Sequence, residues 1–491
     1  MAPKIPRNSL VAVLICCLGV PFRFGFHLSA TNPTDALLRE RLNATICAHY
    51  GQLDDGALAW VWSLTCGVFF LSATFGALAY NLFGHRMKRR TGLLVSQILF
   101  IVGSFVAASA YFETFELFFV GQVIYGAALG FGGSVLTLFI EEISHASYAG
   151  TFFTLIALTI EVGTLIANVV GINVILGRPS TWPLIWLLPV PLNVICIVFL
   201  LFFAHETPPR LLKEGRKEEA IKSLRFYCGL EEATAIQRLT ETERQYTSAG
   251  SQMQRTMWQA LSNRANWRPL FLSALTNTTT NFSGIMAIAM FGATIFGKVG
   301  LNETQAGIAN AGVFASSLVG LIFAIFFVGD FSHRLLLADW HPGDVEFDVL
   351  WKAILMGAGI VVFCLAFSNS VEKVMWFNGS FKLSRTCQSL GANYTPAEFL
   401  EANSSITLAV TYFTAFLAPL LFFPAMEAWN GWSFMLFIPV LVFSFVVFLV
   451  WYPKEGRVRP TAQTAPEAGF GDEHPLPLAV QKESTDKTGV V

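Results

Sequence analysis

Apolar runs, most about 20 residues long, carry this chain's hydrophobicity, and its charges are gathered in the stretches between them. A run of that length matches the hydrocarbon thickness of a bilayer at about 1.5 Å rise per residue. Backbone groups in lipid must be satisfied within the segment, so each run is predicted to be a membrane-spanning helix. The composition agrees, with 54% of the 491 residues hydrophobic and 13% charged, about half the charged share of a soluble protein. The 32 basic and 33 acidic residues nearly cancel, which predicts no nucleic-acid partner. Residues 10–30 form a run too long for a cleavable signal peptide and without a small-residue cleavage site, so it reads as the first span.

Six spans are expected in the first part, at about 10–30, 57–82, 92–112, 115–138, 151–172 and 184–204. Five clear ones follow, near 269–294, 306–329, 351–369, 405–427 and 432–452. Residues 369–404 hold Glu372, Lys373, Lys382 and Arg385 and do not form an ordinary span. The basic residues Lys4 and Arg7, then Arg86 to Arg90, the stretch after the sixth span, and Lys454, Arg457 and Arg459 fall on one side only with twelve crossings. The positive-inside rule then places both termini in the cytoplasm, and a short or irregular tenth crossing ends near Phe399. The expected organisation is an all-α membrane protein of two six-helix bundles: residues 1–204 and 269–453, a cytoplasmic linker at 205–268, and a disordered cytoplasmic tail at 454–491. Leu211, Leu212, Ala220, Ile221 and Leu224 give the linker an amphipathic pattern suited to lying against the ends of the spans.

Of the eight cysteines, Cys16, Cys17, Cys66, Cys196 and Cys364 lie inside apolar runs, where they read as packing residues. No spacing suits a zinc site or a redox motif, and no nucleophile–base set or phosphate loop is present. The sequence therefore predicts no enzyme, no cofactor and no metal.

The polar residues inside the spans are the functional candidates. Thr276, Asn277, Thr280 and Asn281 share one face of the seventh span, and uncharged hydroxyls and amides suit a neutral polar solute. Arg23 and His27 share a face in the first span, as do Glu161, Thr164 and Asn168 in the fifth. Ionisable residues at such depth mark a pathway or a structural pair, and Arg23 and Glu161, at comparable depths, are expected to be partners. The candidate solute contacts are thus Arg23, His27, Glu161, Asn168, Asn277, Thr280 and Asn281.

Several motifs, in order along nearly the whole chain, resemble those of the facilitative glucose transporters of the major facilitator superfamily. Arg86 with Arg89-Arg90 is similar to that family's basic loop, and Gly121, Gly126, Gly130, Glu142-Ile143-Ser144 and Gly150 to its span-four signature. Trp182-Pro183-Leu184 opens span six in the same way, and Glu206-Thr207-Pro208-Pro209-Arg210 resembles the acidic-Pro-Arg motif after it. Ser283-Gly284-Ile285, with Ile295-Phe296 and Lys298-Val299-Gly300, is similar to the span-seven signature. The resemblance implies the major facilitator fold and a gate of ion pairs at the cytoplasmic ends, carried by Arg89, Arg90, Glu142, Glu206, Arg210, Asp330 and Arg334. It also implies a glycan on Asn43, in the sequon of the first outer loop. Asn302 and Asn378 are further candidates, whereas the sequons at Asn277 and Asn281 lie at membrane depth, and Asn393 and Asn403 come after the expected outer loop.

The departures are specific. Gln122 and Ala149 stand where the family has Arg, and His85 and Lys88 replace an acid or Asn and a Gly. Thr280 and Asn281 replace the paired Gln of span seven, Met286 an Asn, and Ala157 a Gln of span five. The charged segment around Ser380 replaces the Gly- and Pro-rich span ten, though Ala397-Glu398-Phe399 resembles the stretch just past that span, and the Asn-Trp pair of span eleven is missing. The expected function is alternating-access transport of a small polar solute, a hexose among the candidates, as a multi-pass protein of the plasma membrane and without a coupled proton. The alternative is a transporter-like sensor or binding partner that no longer transports.

Overall fold

The apolar runs are helices in the structure, a computed structural model that describes residues 5–83, 87–112, 114–144, 146–237, 239–240, 257–337 and 400–451. All of these lie in one unit, Met1–Gly456. In the first half come α1 (Arg7–Gly19), α2 (Pro21–Ala30), α3 (Asp35–His49), α4 (Asp55–Phe83), α5 (Arg89–Ser109), α6 (Glu116–Ile143), α7 (Ala146–Val170), α8 (Trp182–Leu187) and α9 (Val190–Phe202). The linker holds α10 (Pro208–Lys213), α11 (Lys217–Cys228) and α12 (Met257–Ser262). The second half has α13 (Arg264–Asn281), α14 (Ile285–Lys298), α15 (Glu303–Leu337), α16 (Leu400–Trp429), a 3-10 segment at Asn430–Phe437 and α17 (Ile438–Trp451). Among the described residues nine helical segments are long and apolar enough to cross a membrane. Among the described residues every regular element is a helix, as the major facilitator fold expected from the motifs requires.

Three of the predicted spans are broken, each for a local reason. Pro21 has no N–H to give and Val20 leaves the helical region (φ −120°, ψ −65°), so the first run is α1 plus α2. Pro189 and Pro191 separate α8 from α9 in the sixth. Gly284, at φ +90°, divides the seventh into α13 and α14, a conformation that a side chain would strain. Such breaks at membrane depth survive where neighbouring helices cover the backbone. The stretch between the first two spans holds a helix, α3, whose Leu38, Leu42 and Ile46, four apart, are buried in the core. α13 begins at Arg264, inside the stretch predicted as linker.

Glycines set the closest helix approaches. A Cβ on Gly126 would lie 1.9 Å from the Phe69 carbonyl oxygen, and one on Gly130 1.8 Å from that of Ala73, so α6 rests on α4 backbone against backbone. α2 meets α7 in the same manner, Gly25 against the Ile160 carbonyl and Gly163 against that of Phe22. In the linker, Leu211, Ala220 and Leu239 form a small core with Leu212 and Ile221 against it, the amphipathic arrangement expected there.

The contacts at its two ends fix the direction of α16. Asn403, near the start of α16, exchanges hydrogen bonds with Asn266 near the start of α13 (2.8 and 2.7 Å). At its other end α16 places Glu427 3.0 Å from Lys298 of α14. α16 thus begins at the linker end, where α15 finishes about 50 Å from its start beside Asn173. The expected ninth span, the tenth crossing and Asn378 and Asn393 lie outside the described residues, as do residues 452–491.

Candidate functional site

Two ends of the bundles can be told apart by their charge: a basic end, carrying Arg89, Arg90 and the linker, and the far end, carrying α3. At the far end the two halves are joined by polar contacts. The last turn of α2 and the following residues reach across to α14. Ser29 Oγ donates to the Ala289 carbonyl (3.0 Å), and Asn32 Nδ2 donates to Ile288 and Ala289 (3.1 and 2.9 Å). Asn32 Oδ1 accepts from the Ala293 N–H at 2.8 Å. Ser63 of α4 donates to the Pro419 and Leu420 carbonyls of α16 (2.8 and 3.0 Å), and the Leu420 oxygen has no helical donor because Pro424, four residues on, carries no N–H.

Asp35 gathers a second set. Trp62 Nε1 donates to one oxygen (2.6 Å) and Thr294 Oγ1, on α14, to the other (2.7 Å). Arg39 lies 3.2 Å from Asp35 and 3.7 Å from Glu427, which also pairs with Lys298. Burial pushes the Asp35 carboxyl up, against the pull of Arg39 and of the Thr294 and Trp62 donors.

At mid-depth, the polar face of α13 is largely spent on itself. Thr276, Asn277 and Thr280 bond to carbonyls four residues back in their own helix. Asn281 instead crosses to α16, donating to the Thr411 carbonyl (2.7 Å) and Thr414 Oγ1 (2.8 Å). On the facing bundle Asn168 donates to Thr164 and accepts from Asn310 Nδ2 of α15 at 2.5 Å, a bond between the halves. Asn310 is fully buried, and among the described residues its Oδ1 accepts no hydrogen bond.

Arg23 and His27 point elsewhere. α2 meets α7 through Phe22, Gly25 and Phe26, so the neighbouring stripe of Arg23 and His27 faces α5 and α6. Arg23 donates to the Phe100 carbonyl (3.1 Å) and to Ser104 Oγ, and its guanidinium lies over the rings of Phe100 and Tyr125. His27 contacts Gln122 Oε1 through Nε2 and stacks on Tyr125, with Phe69 and Trp186 edge-on to it. The expected Arg23–Glu161 pair is therefore corrected: Arg23 is committed to α5 and α6, while Glu161 is buried on α7. In a double-mutant cycle of Arg23→Gln and Glu161→Gln, the losses in melting temperature should add, with coupling below about 0.5 kcal/mol. A larger recovery in the double variant would restore the pair.

At the basic end Arg89 binds Glu142 through Nε (3.2 Å) and Nη2 (2.9 Å), and its Nη1 donates to the Tyr80 hydroxyl. Glu206 accepts from the backbone N–H of Arg89 (2.7 Å) and Arg90 (3.2 Å), capping α5, whose N-cap residue Lys88 makes no side-chain cap. Ser223 Oγ bonds the Glu206 carbonyl and Tyr227 the backbone of His205, so the linker holds the capping strand in place. Arg210 pairs with Glu214 and Arg90 with the Leu201 carbonyl. The described part of the expected gate thus ties α4, α5 and α6 to the linker; Asp330 and Arg334 fall outside the residues whose side chains are described.

Burial pushes the Glu206 carboxyl above its ordinary value, against the three backbone donors that favour the charge. A carboxyl whose folded value is the higher one keeps its proton longer in the folded chain, so stability falls as pH rises through the window above about 4.3. Glu206→Gln should flatten the fall in melting temperature that sets in as pH rises past about 4.3. An unchanged slope in the variant would show that another group sets it.

Asn43 is half-buried on α3 and Asn302 exposed, the latter capping α15 in a reciprocal box with Gln305. Sequence reasoning passed over Asn32, Asp35 and Asn310. Asn32 and Asp35 flank the Pro33 that ends the first run, and Asn310 is a lone amide in the eighth. Among the described residues no group of His, Cys, Asp and Glu could hold a metal.

The family model described as "Sugar (and other) transporter" matches residues 12–457. Among curated proteins the chain is similar to the rat solute carrier family 2, facilitated glucose transporter member 3, at 29% identity over 315 residues, 63% of each chain. That match spans just under two thirds of the relative; the one to the sheep protein of the same name, at 26% identity, covers 93% of this chain and 92% of the relative. Among solved structures it resembles the E. coli xylose transporter XylE in a partially occluded inward-open conformation, with TM-score 0.70, 15% identity and coverage of 91% and 100%. It also resembles the proton:xylose symporter XylE bound to 6-bromo-6-deoxy-D-glucose, with TM-score 0.71, 16% identity and coverage of 91% and 96%.

Proposed function

The chain belongs to the sugar (and other) transporter family, and from that premise we propose that it moves a small polar solute, a sugar or related polyol, across a lipid bilayer by alternating access of its two bundles. The observation that carries this reading is the amide band at mid-depth, where Asn168 and Asn310 bond across the halves beneath a closed far end. Amides offer paired donors and acceptors to hydroxyls, and a site between the repeats is where such transporters bind. The solute contacts we assign are Asn168, Asn281 and Asn310. Asn277 and Thr280 are second candidates, while Arg23 and His27 shape the first bundle rather than touch the solute.

The names of the relatives, glucose and xylose transporters, support a sugar, and a hexose is the first solute to try. We further propose cytoplasmic termini, a plasma-membrane location, and domains as the sequence divides them: residues 1–204, 205–268, 269–453 and 454–491. The gate is assigned to Arg89, Arg90, Glu142, Glu206 and Arg210 with Asp330 and Arg334, and glycans to Asn43, Asn302 and Asn378. Uniport is favoured because the first span offers Arg23 and His27 in place of an acid, though Glu161 supplies one in the fifth.

Uptake of labelled hexoses, pentoses and polyols in transporter-deficient cells tests this reading. At least one should accumulate above mock cells, equally at external pH 6 and 7.5, values on either side of about the histidine range. No uptake of any solute at normal surface expression would favour the second reading, a sensor that retains the fold. One observation speaks for that reading: the polar face of α13 bonds to its own backbone and to α16.

A further inference from the structure

Arg23 is a buried cation set among neutral groups. It is 1% exposed, and among the described residues no carboxylate pairs with it. Nη2 donates to the Phe100 carbonyl (3.1 Å) and to Ser104 Oγ, and the guanidinium lies 5.5 and 4.9 Å from the centroids of the Phe100 and Tyr125 rings. A carbonyl, a hydroxyl and two ring faces return only part of the cost of a charge at this depth. Two donors in the same cluster are unspent. Arg23 Nε has no hydrogen-bond partner among the described residues, and neither has Nε2 of Gln122, itself 1% exposed. Buried donors left unmade are the expensive arrangement.

The two donors are held around one ring. Gln122 uses Oε1 on His27 Nε2, and His27 stacks on Tyr125 with centroids 3.5 Å apart. Arg23 sits over that same Tyr125, whose hydroxyl donates to the Arg23 carbonyl at 2.8 Å. Arg23 and His27 are one turn apart on α2, and Gln122 and Tyr125 one turn apart on α6. These cross-contacts fix the two helices in register and leave both spare N–H groups in the same small volume of the first bundle.

We propose that Arg23 Nε and Gln122 Nε2 bind a small monovalent anion of the halide class, chloride being the one to test. One positive charge calls for one negative charge; a divalent oxyanion would exchange one unpaired buried charge for another. Two N–H donors with no acid beside them suit a ligand that only accepts. Phe100 and Tyr125 are 0% and 2% exposed, so the ion must shed its water, which favours a weakly hydrated halide over a strongly hydrated oxyanion. A water molecule in its place would satisfy the donors but leave the charge unbalanced. None of these residues is among the solute contacts assigned above, so the site stands whether or not the protein moves a solute.

The test is the melting temperature of the full-length protein purified in detergent, with chloride replaced by gluconate at constant ionic strength. A ligand that binds the folded state alone raises the transition. At about 0.15 M salt the parent should melt about 2–4 °C higher in chloride than in gluconate. Arg23→Gln and Gln122→Met should each erase that difference. The second variant keeps the volume, removes only the donor, and serves if the first does not fold. Arg41→Gln is the control: the Arg41 guanidinium also lies over two rings, Tyr111 and Trp182, but it is part-exposed and donates to the Pro179 carbonyl. That variant should keep the full chloride response. A parent that melts equally in the two salts overturns the proposal and assigns the donors to water. A response retained in Gln122→Met, or lost in Arg41→Gln, overturns it as well.

Discussion

Gly130→Ala is expected to abolish recovery of folded protein, and Gly126→Ala to do nearly the same. The added Cβ on Gly130 would lie 1.8 Å from the Ala73 carbonyl oxygen; that on Gly126 would lie 1.9 Å from the Phe69 carbonyl oxygen and 2.0 Å from Ser72 Oγ. The obstacle is backbone in both cases, so no side chain can turn aside; α4 and α6 would have to part by about 1 Å along a packed seam. Overpacking a core costs about 1–3 kcal/mol where neighbours can shift. Here they cannot, and the loss falls at or above that range against a total stability of about 5–15 kcal/mol. Gly297→Ala is the control: nothing lies within 4 Å of its Cβ, and a helical Gly exchanged for Ala should gain about 0.5–1 kcal/mol. Monodisperse yield and melting temperature of purified protein decide the matter. Gly130→Ala with the yield and melting temperature of the parent would mean that α4 and α6 do not meet as described.

Those glycines were legible in the sequence, and the reason is physical: spacing by four on an apolar helix has one structural use, a close approach. The spans were legible for a similar reason, since bilayer thickness fixes their length whatever they pack against. What stayed hidden depends on partners far away in sequence. Arg23 and Glu161 stand at matching depths, yet α2 offers α7 its Phe22–Gly25–Phe26 stripe and turns Arg23 toward Ser104 and Phe100. Nothing local announces which stripe meets which helix. The polar face of α13 is real, but whether Asn277 bonds a solute or the Ser273 carbonyl turns on a rotamer. Asn32 and Asp35 carry no pattern at all; their importance comes from α14, some 250 residues away. Gly284 lay within a recognised motif, but its left-handed backbone and the break it makes do not follow from the apolar run around it.

Arg89→Gln should cost about 3 kcal/mol of stability, the lower end of what breaking a buried pair costs. The lower end applies because the Glu142 side chain keeps 18% exposure, against 6% for Arg89. Removing the guanidinium leaves the Glu142 carboxylate without Nε and Nη2 and the Tyr80 hydroxyl without Nη1. Replacing both charges by Met, as Arg89→Met with Glu142→Met, should recover most of that loss, since apolar residues of similar volume often match a buried ion pair in stability. The double variant separates two roles that the single one confounds. Were the cluster only a brace for α4, α5 and α6, the double variant would regain both melting temperature and uptake per molecule at the surface. As a gate it needs charge that can exchange partners between states, which Met cannot do. The expected result is therefore a melting temperature near that of the parent with uptake still depressed about tenfold, the effect of some 1.4 kcal/mol on the balance of states. Parental uptake in the double variant would remove Arg89 and Glu142 from the gate and leave them as packing.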